Sequence, residues 1–238
     1  MKNTVTKTRV TGSLLQGVAL SGIVFASLVF AGNAIAYEKG DLVVRGGFTN
    51  VSPNDDASNI FAGGADLGVS LTVGSDTQLG LNIAYFVTDN INIEVLAATP
   101  FTHDVNFSVS DPLDTGNKLG EVTHLPPSVT ANYYFMDASS AFQPYVGAGL
   151  NYTIFFDEEF TSANKAAGLT DLELDNSLGL TAQLGADYKI NDKWHVNASV
   201  RWIDIDTEAN FKLGSASGKV SDIEIDPTVM TVSLGYTF

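Results

Sequence analysis

The chain ends Thr228-Val-Met-Thr-Val-Ser-Leu-Gly-Tyr-Thr-Phe238, and this stretch decides the fold. A strand points successive side chains to opposite faces. Met230, Val232, Leu234, Tyr236 and Phe238 therefore share one face. Val229, Thr231, Ser233, Gly235 and Thr237 share the other, and all but Val229 are small or polar. An alternating strand that closes on an aromatic, with no polar tail, is ending in a sheet with apolar surroundings outside and a polar interior. That is the pattern of a transmembrane β-barrel.

The opposite end agrees. Lys2, Lys7 and Arg9 form a basic segment, Leu14 to Ala31 is mostly apolar and uncharged, and Ala34-Ile35-Ala36 is a small-x-small cleavage site. Residues 1–36 read as a cleaved signal peptide and 37–238 as the outer-membrane barrel. An uncleaved anchor helix is the alternative that the long apolar run allows. Sequencing the N-terminus of protein recovered from outer membranes should begin at Tyr37; a mature chain beginning at Met1 would remove the signal-peptide reading. Past this segment no stretch is apolar for the ~18 residues a membrane helix needs.

The formal charge is −15, and cleavage would make it more negative by three, because the leader holds three basic and no acidic residues. Such acidity argues against a nucleic-acid partner, which needs clustered Lys and Arg. It suits a surface where divalent cations bridge carboxylates to anionic lipid. There is no cysteine, so a disulfide framework and a thiolate metal site are excluded.

Working back from the C-terminus, eight runs alternate with period two, near 41–51, 77–87, 91–101, 121–136, 142–156, 172–189, 194–213 and 221–238. The connections 88–90, 137–141 and 190–193 are short, whereas 52–76, 102–120, 157–171 and 214–220 are mostly longer and polar. This asymmetry predicts an all-β, eight-stranded antiparallel barrel with periplasmic turns and long extracellular loops. Closure is how strands cross lipid without unpaired edges. A soluble sandwich would explain the alternation but not the terminal Phe238, nor aromatics at both strand ends: Tyr133, Phe135, Tyr188, Trp194, Tyr236 and Phe238 by the short turns, Tyr152 and Trp202 by the long loops. Phe238 is the expected assembly signal for the barrel-assembly machinery.

Near the short turns the inward faces carry Arg45, Asn82, Glu94, Asn132, Gln183, Asp187, Asn197 and Arg201. Side chains just fill an eight-stranded barrel, so Arg45, Glu94, Asp187 and Arg201 read as a mutually neutralising plug at the periplasmic end, with an ion pathway as the alternative. Higher up the polarity inverts. Ile203, Ile205, Ile223 and Ile225 point inward, while Asp204, Asp206, Asp222, Glu224 and Asp226 point outward. A barrel projecting beyond the bilayer with an apolar interior accounts for this; a solvent-exposed hairpin with buried isoleucines is the alternative. Leu172 and Leu174 keep the phase of the lipid face, which requires either a bulge near Asn176-Ser177 or a strictly local inversion.

Several segments carry a resemblance. His124-Leu-Pro-Pro127, Pro144-Tyr-Val-Gly-Ala-Gly-Leu-Asn-Tyr152, Ala167-Gly-Leu-Thr-Asp171, Thr88-Asp-Asn-Ile91, Leu96-Ala-Ala-Thr-Pro-Phe101 and Asp204-Ile-Asp206 resemble the OmpW family of outer-membrane proteins. The likeness covers essentially all of residues 37–238. It implies an eight-stranded barrel with a long, narrow, apolar channel that passes or binds small hydrophobic molecules, with release sideways into the membrane as a further possibility. Inward-facing Leu96 then matches an apolar constriction, with Ile203, Ile205, Ile223 and Ile225 lining the channel. Arg201 departs from the family's pattern, in which some members carry an aromatic.

Other chemistry is poorly supported. His124 beside Ser128 suggests a hydrolytic triad, but no nucleophile motif accompanies it. Gly147-Ala-Gly149 lies within a strand with no helix after it, so it is no dinucleotide fingerprint and reads as opening interior space or bending the strand. Asp204-Ile-Asp-Thr-Glu208 lacks the glycine of a calcium loop. The sequence thus predicts no catalytic residues, no metal and no cofactor. The expected function is a conduit in the Gram-negative outer membrane, with outer-membrane lipid, lipopolysaccharide and small hydrophobic molecules as partners. The alternative is a non-transporting barrel that works through its loops.

Overall fold

The structure is a computed structural model, and it describes residues 37–238 apart from 55–60, 63–64, 67–68, 70, 108–114 and 138. The expected signal peptide, residues 1–36, lies outside the described residues. In chain order the strands are β1 (Leu42–Ser52), the two-residue β2 (Phe61–Ala62) and β3 (Ala65–Asp66), β4 (Leu71–Val73), β5 (Asp76–Thr88), β6 (Ile91–Ala98), β7 (Phe101–Phe107), β8 (Lys118–Leu125), β9 (Ser128–Tyr134) and β10 (Phe142–Phe160). One helical turn, α1 (Ser162–Ala166), precedes β11 (Leu169–Leu174), β12 (Ser177–Lys189), β13 (Trp194–Ile203), β14 (Asp206–Leu213), β15 (Ala216–Glu224) and β16 (Thr228–Thr237).

Eight of these close a ring of antiparallel pairs, in the order β1, β5, β6, β9, β10, β12, β13, β16 and back to β1. The closing seam pairs the C-terminal strand with the first, Val43 opposite Thr237 through Ser52 opposite Thr228. Phe238 extends the seam, donating its N–H to the Leu42 carbonyl at 2.9 Å, while its 69 % exposed ring meets Tyr236 edge-on. Deleting Phe238 should therefore lower the heat-modifiable, folded fraction in outer membranes. Undiminished assembly would show that the seam closes without it.

The outward side chains of the ring are bare hydrocarbon, including Leu79, Leu81, Leu178, Leu180, Leu184, Val232 and Leu234, with Leu178 71 % exposed. In water this surface would aggregate; in a bilayer it needs no protein partner. Tyr133, Phe135, Trp194 and Phe238 band the end with the short turns, and Tyr152 and Trp202 band the other. Interfacial aromatics take these levels.

The long excursions beyond the upper band contain more strand than their polarity predicts. Four of the eight sequence runs are each split in two at one height, where a fifth, 91–101, ends. Pro100 separates β6 from β7, Pro126-Pro127 separates β8 from β9, and Pro227 separates β15 from β16. Proline cannot donate to a ladder, so pairing stops there. Asn151 covers the break at Pro126-Pro127, its Nδ2 donating to both proline carbonyls at 2.9 and 3.1 Å. Asp175-Asn176 separates β11 from β12, and Asp204-Ile205 separates β13 from β14. The break at Asp175-Asn176 settles the phase conflict: Leu174 and Ser177 both face the interior although three residues apart, so the alternation changes parity there. The stretch 214–220 is a tight hairpin, with Leu213 opposite Ala216 and Gly214 at φ +61° in its two-residue turn.

Above the breaks the described residues of the wall form two separate sheets. β4, β7 and β8 continue from the upper half of β10, and β11, β14, β15, β2 and β3 form the other. At the seam between β10 and β11, side chains reach across: Phe155 N–H donates to Asn176 Oδ1 at 3.1 Å, and Leu174 N–H to Glu158 Oε1 at 3.3 Å.

Gly147 and Gly149 do not open interior space. A Cβ on Gly147 would strike the Asn132 side chain, and one on Gly149 would strike the Val129 carbonyl and Thr130 Cα. They allow close approach of neighbouring groups instead.

Candidate functional site: a polar plug beneath an apolar cavity

The barrel interior is layered, and each layer follows from the inward residues of its strands. In the membrane-spanning part Arg45, Glu94, Asp187 and Arg201 are buried and meet. Arg45 Nη1 lies 3.0 Å from Glu94 Oε2 and Nη2 lies 2.8 Å from Asp187 Oδ2. Arg201 Nη2 lies 2.8 Å from Glu94 Oε1. Two cations thus face two anions with no net charge. Gln183 links them further, accepting from Arg201 Nη2 at 2.6 Å and donating to Asn132 Oδ1 at 2.6 Å. Asn197 donates to Asp187 Oδ1 at 2.7 Å. Buried charges are tolerable when each is paired, as here; the satisfaction is not complete, since Arg201 Nη1 and Asn197 Oδ1 are buried without a partner among the described residues.

Sequence reasoning did not place four further members of this plug. Tyr37 donates to Asp187 Oδ2 at 2.8 Å and Tyr134 donates to the same oxygen at 3.1 Å. Tyr145 accepts from Asn197 at 3.0 Å. His195 Nε2 accepts from Arg45 Nε at 3.1 Å. Tyr37 stacks on Phe86 at 4.3 Å and packs with Tyr134 and Tyr145 below the charges. The signal was the inward phase of Tyr134, Tyr145 and His195; Tyr37 precedes the first strand and has no phase to read.

Above the plug the interior turns apolar. Val51, Phe101, Val122, Phe155, Ile203, Ile205 and Val229 form a buried belt. Leu96, buried on β6, joins Ile203 around a minor void with Thr49 and Pro126. Over the belt lies a cavity of about 380 Å³, within the ~300–1,000 Å³ of small-molecule sites. Ile205, Ile223 and Ile225 line it; Ile203 and Leu96 do not. Val69, Phe107, Leu119, Phe160, Leu169, Ala209, Phe211 and Val220 complete a hydrophobic cluster around it, and Leu172 and Leu174 pack against that cluster. The outer face at this height is charged, with ion pairs such as Lys212–Asp171 and Lys219–Glu208 between neighbouring strands.

Among the described residues the cavity lining includes two polar side chains, His103 and His124. They are 4 % and 5 % exposed and face each other, Nε2 to Nε2, at 2.9 Å. Burial pushes both rings below the ordinary histidine range, His124 to about 3, with the neighbouring His103 adding to the shift of His124. Ser128 is no partner to His124: its hydroxyl donates to the Pro126 carbonyl at 3.3 Å.

Outside the wall, Asp204, Asp206 and Asp226 gather with carboxylate oxygens within 4.8 Å of one another. Partial burial, then Asp204 and Asp226, push Asp206 above its ordinary value.

A closed eight-stranded barrel with a lipid-facing hydrocarbon belt, two aromatic bands and a paired polar interior is an outer-membrane β-barrel protein. A finer assignment follows from comparison. The family model described as the OmpW family matches residues 38–238, and the chain belongs to that family. Outer membrane protein W of Vibrio cholerae serotype O1 is 48 % identical over 203 residues, spanning 85 % of this chain and 91 % of that protein. The crystal structure of the outer membrane protein OprG from Pseudomonas aeruginosa superposes with a TM-score of 0.80 at 42 % identity, covering 85 % of this chain and 98 % of that one. The dibenzothiophene metabolism operon protein PahQ of Pseudomonas aeruginosa is 27 % identical over 84 % of this chain and 90 % of its own. The protein is accordingly a resident of the Gram-negative outer membrane.

Proposed function

We propose that the barrel gives small hydrophobic molecules a route past the polar lipopolysaccharide layer, with the upper cavity as the compartment they enter. The observation that carries this reading is the cavity itself: about 380 Å³ of hydrocarbon-lined space held above the membrane by a wall that is charged on its outside. Apolar solutes leave water for such a surface without a specific partner. The relative named for a dibenzothiophene metabolism operon supports the same class of cargo.

The plug directs the exit. A hydrophobic molecule moving down the axis would have to separate Arg45 and Arg201 from Glu94 and Asp187, stranding buried charges at a cost of several kcal/mol. The seam between β10 and β11, bridged by side chains, offers a lower barrier, and the outer face below it is already lipid. Cargo therefore leaves sideways into the membrane.

The test is uptake of a hydrophobic probe by cells matched for folded protein in the outer membrane. Ile223→Arg puts a charge in the cavity wall, where it is desolvated or draws in water. Uptake should fall to that of cells lacking the protein, while exposed Glu173→Gln should match wild type. Leu96→Arg, beneath the cavity, should leave uptake per folded molecule unchanged if cargo exits through the wall, and abolish it if cargo descends the axis. If Ile223→Arg matches wild type, or if wild type matches cells lacking the protein, the conduit reading fails, and a loop-mediated surface role takes its place.

A further inference from the structure

The histidine pair stands out because nothing in the passage of hydrocarbons needs it. A buried polar group in an apolar cavity costs stability unless it is bonded, and here the bonding is incomplete. The proton positions follow from the partners. Gly74 presents a carbonyl, which only accepts, so His103 Nδ1 carries the proton of the 2.6 Å bond between them. A neutral His103 then has a bare Nε2, which must accept. His124 Nε2 therefore donates across the 2.9 Å contact. That fixes the tautomer of His124: its Nδ1 is an unprotonated acceptor. Among the described residues this nitrogen is buried and has no partner.

The surroundings pack the pair in aromatic rings and keep it neutral. His124 stacks on Phe101 at 5.7 Å and on His103 at 4.9 Å, and is tilted against Phe155 at 5.8 Å. The charged groups acting on the pair are Asp76 on both rings and Asp104 on His103; both favour protonation, and desolvation outweighs them. The chain Gly74–His103–His124 is thus a relay of fixed direction. It starts at a backbone carbonyl and ends at a bare acceptor on a ring that lines the cavity; the nitrogen itself is buried, so a donor reaches it as the packed rings give way.

We propose that the His103–His124 pair is a recognition point within the cavity, where His124 Nδ1 accepts a hydrogen bond from an apolar molecule bearing a neutral hydroxyl group. The proposal rests on the conduit reading and narrows its cargo, from hydrocarbons at large to hydroxylated hydrocarbons. A donor completes the relay and satisfies a buried lone pair. An ether of the same length has only an acceptor to offer and leaves the lone pair as it was. An alkane does the same. Discrimination by a site built for a hydrogen bond follows from the group left unpaired when the wrong ligand enters.

The experiment compares decanol, decyl methyl ether and decane binding to the full barrel in lipid nanodiscs, each corrected for partition into empty nanodiscs. Decanol should bind wild type about fivefold more tightly than the ether, equivalent to ~1 kcal/mol. The double variant His103→Phe/His124→Phe keeps two aromatic rings and removes every ring nitrogen of the pair, including the His103 Nε2 that loss of His124 alone would leave bare, so the preference should vanish while decane binding persists. A second readout needs no variant. In wild-type protein with labelled histidine rings, the Nδ1 nitrogen resonance of His124 should shift on adding decanol and hold still on adding the ether. Equal binding of decanol and ether, a preference that survives in His103→Phe/His124→Phe, or an unmoved Nδ1 resonance would each overturn the proposal while decane binding leaves the conduit intact. Failure of decane itself to bind would overturn the conduit reading and this proposal with it.

Discussion

Glu94→Gln is expected to lower the unfolding free energy of the barrel by about 3–5 kcal/mol, a loss typical of removing one partner of a buried pair. Glu94 is the shared anion of the plug, 3.0 Å from Arg45 and 2.8 Å from Arg201. Glutamine keeps the shape and removes the charge. Two buried guanidiniums then face Asp187 alone, and the interior of the membrane-spanning part carries one uncompensated positive charge. Adding Arg201→Met restores the balance, because Arg45 still has Asp187 at 2.8 Å. The double variant should therefore recover part of the lost stability, a coupling that a double-mutant cycle reads directly. Urea unfolding in lipid vesicles, followed by tryptophan fluorescence, measures both. Equal midpoints for wild type and Glu94→Gln, or a double variant weaker than the single one, would show that the plug is not held by charge balance.

Gly149→Val should all but prevent assembly. A Cβ at this position meets the Val129 carbonyl and the Thr130 Cα of the neighbouring strand, both of them backbone. No rotamer relieves a collision with backbone, so β9 and β10 must separate where Gly149 pairs with Thr130. Overpacking of this kind costs ~3 kcal/mol, and here it falls on a ladder that closes the ring. Gly46→Val, at a glycine whose Cβ would have open space, is the matched control. Heat-modifiable mobility in outer-membrane fractions separates the two: Gly149→Val should give little folded protein and Gly46→Val a normal amount. Normal folding of Gly149→Val would mean that close approach of β9 and β10 at Gly149 is not required for the ring to close.

Much of this architecture is legible in the sequence, and the reason is parity. A lipid-facing strand writes its register directly into alternating residues, so the terminal strand and the inward phase of Arg45, Glu94, Asp187 and Arg201 can be read one residue at a time. The inversion at Ile203, Ile205, Ile223 and Ile225 is readable for the same reason, because charge outside and isoleucine inside is the reverse of the membrane pattern. Interruptions are harder. At Pro126-Pro127 the phase carries across, with Val122, His124, Ser128 and Thr130 all inward, so 121–136 reads as one strand, although β8 and β9 lie beside different halves of β10. At Asp175-Asn176 the phase does change, and the conflict at Leu172 and Leu174 announces the break without locating the new neighbours. The histidine pair was hidden by polarity. His103 lies in a polar stretch that sequence alone reads as loop, so His124 had no visible partner, and only the pairing of Phe101 with His124 brings the two rings together. Tyr37 in the plug is beyond any periodic argument, because it belongs to no strand.

The central claim is that the upper cavity holds small hydrophobic molecules, and the most direct measurement is to find one there. Isotope-labelled decane added to the protein in lipid bilayers can be located by magnetisation transfer to assigned methyl groups. The cavity account predicts contacts with the methyls of Ala209, Val220 and Ile223, which line the cavity, and none with Ala84, buried at the base of the barrel. Contacts confined to Leu178, Leu180 and Leu184 on the lipid face, with the cavity methyls silent at saturating decane, would contradict it.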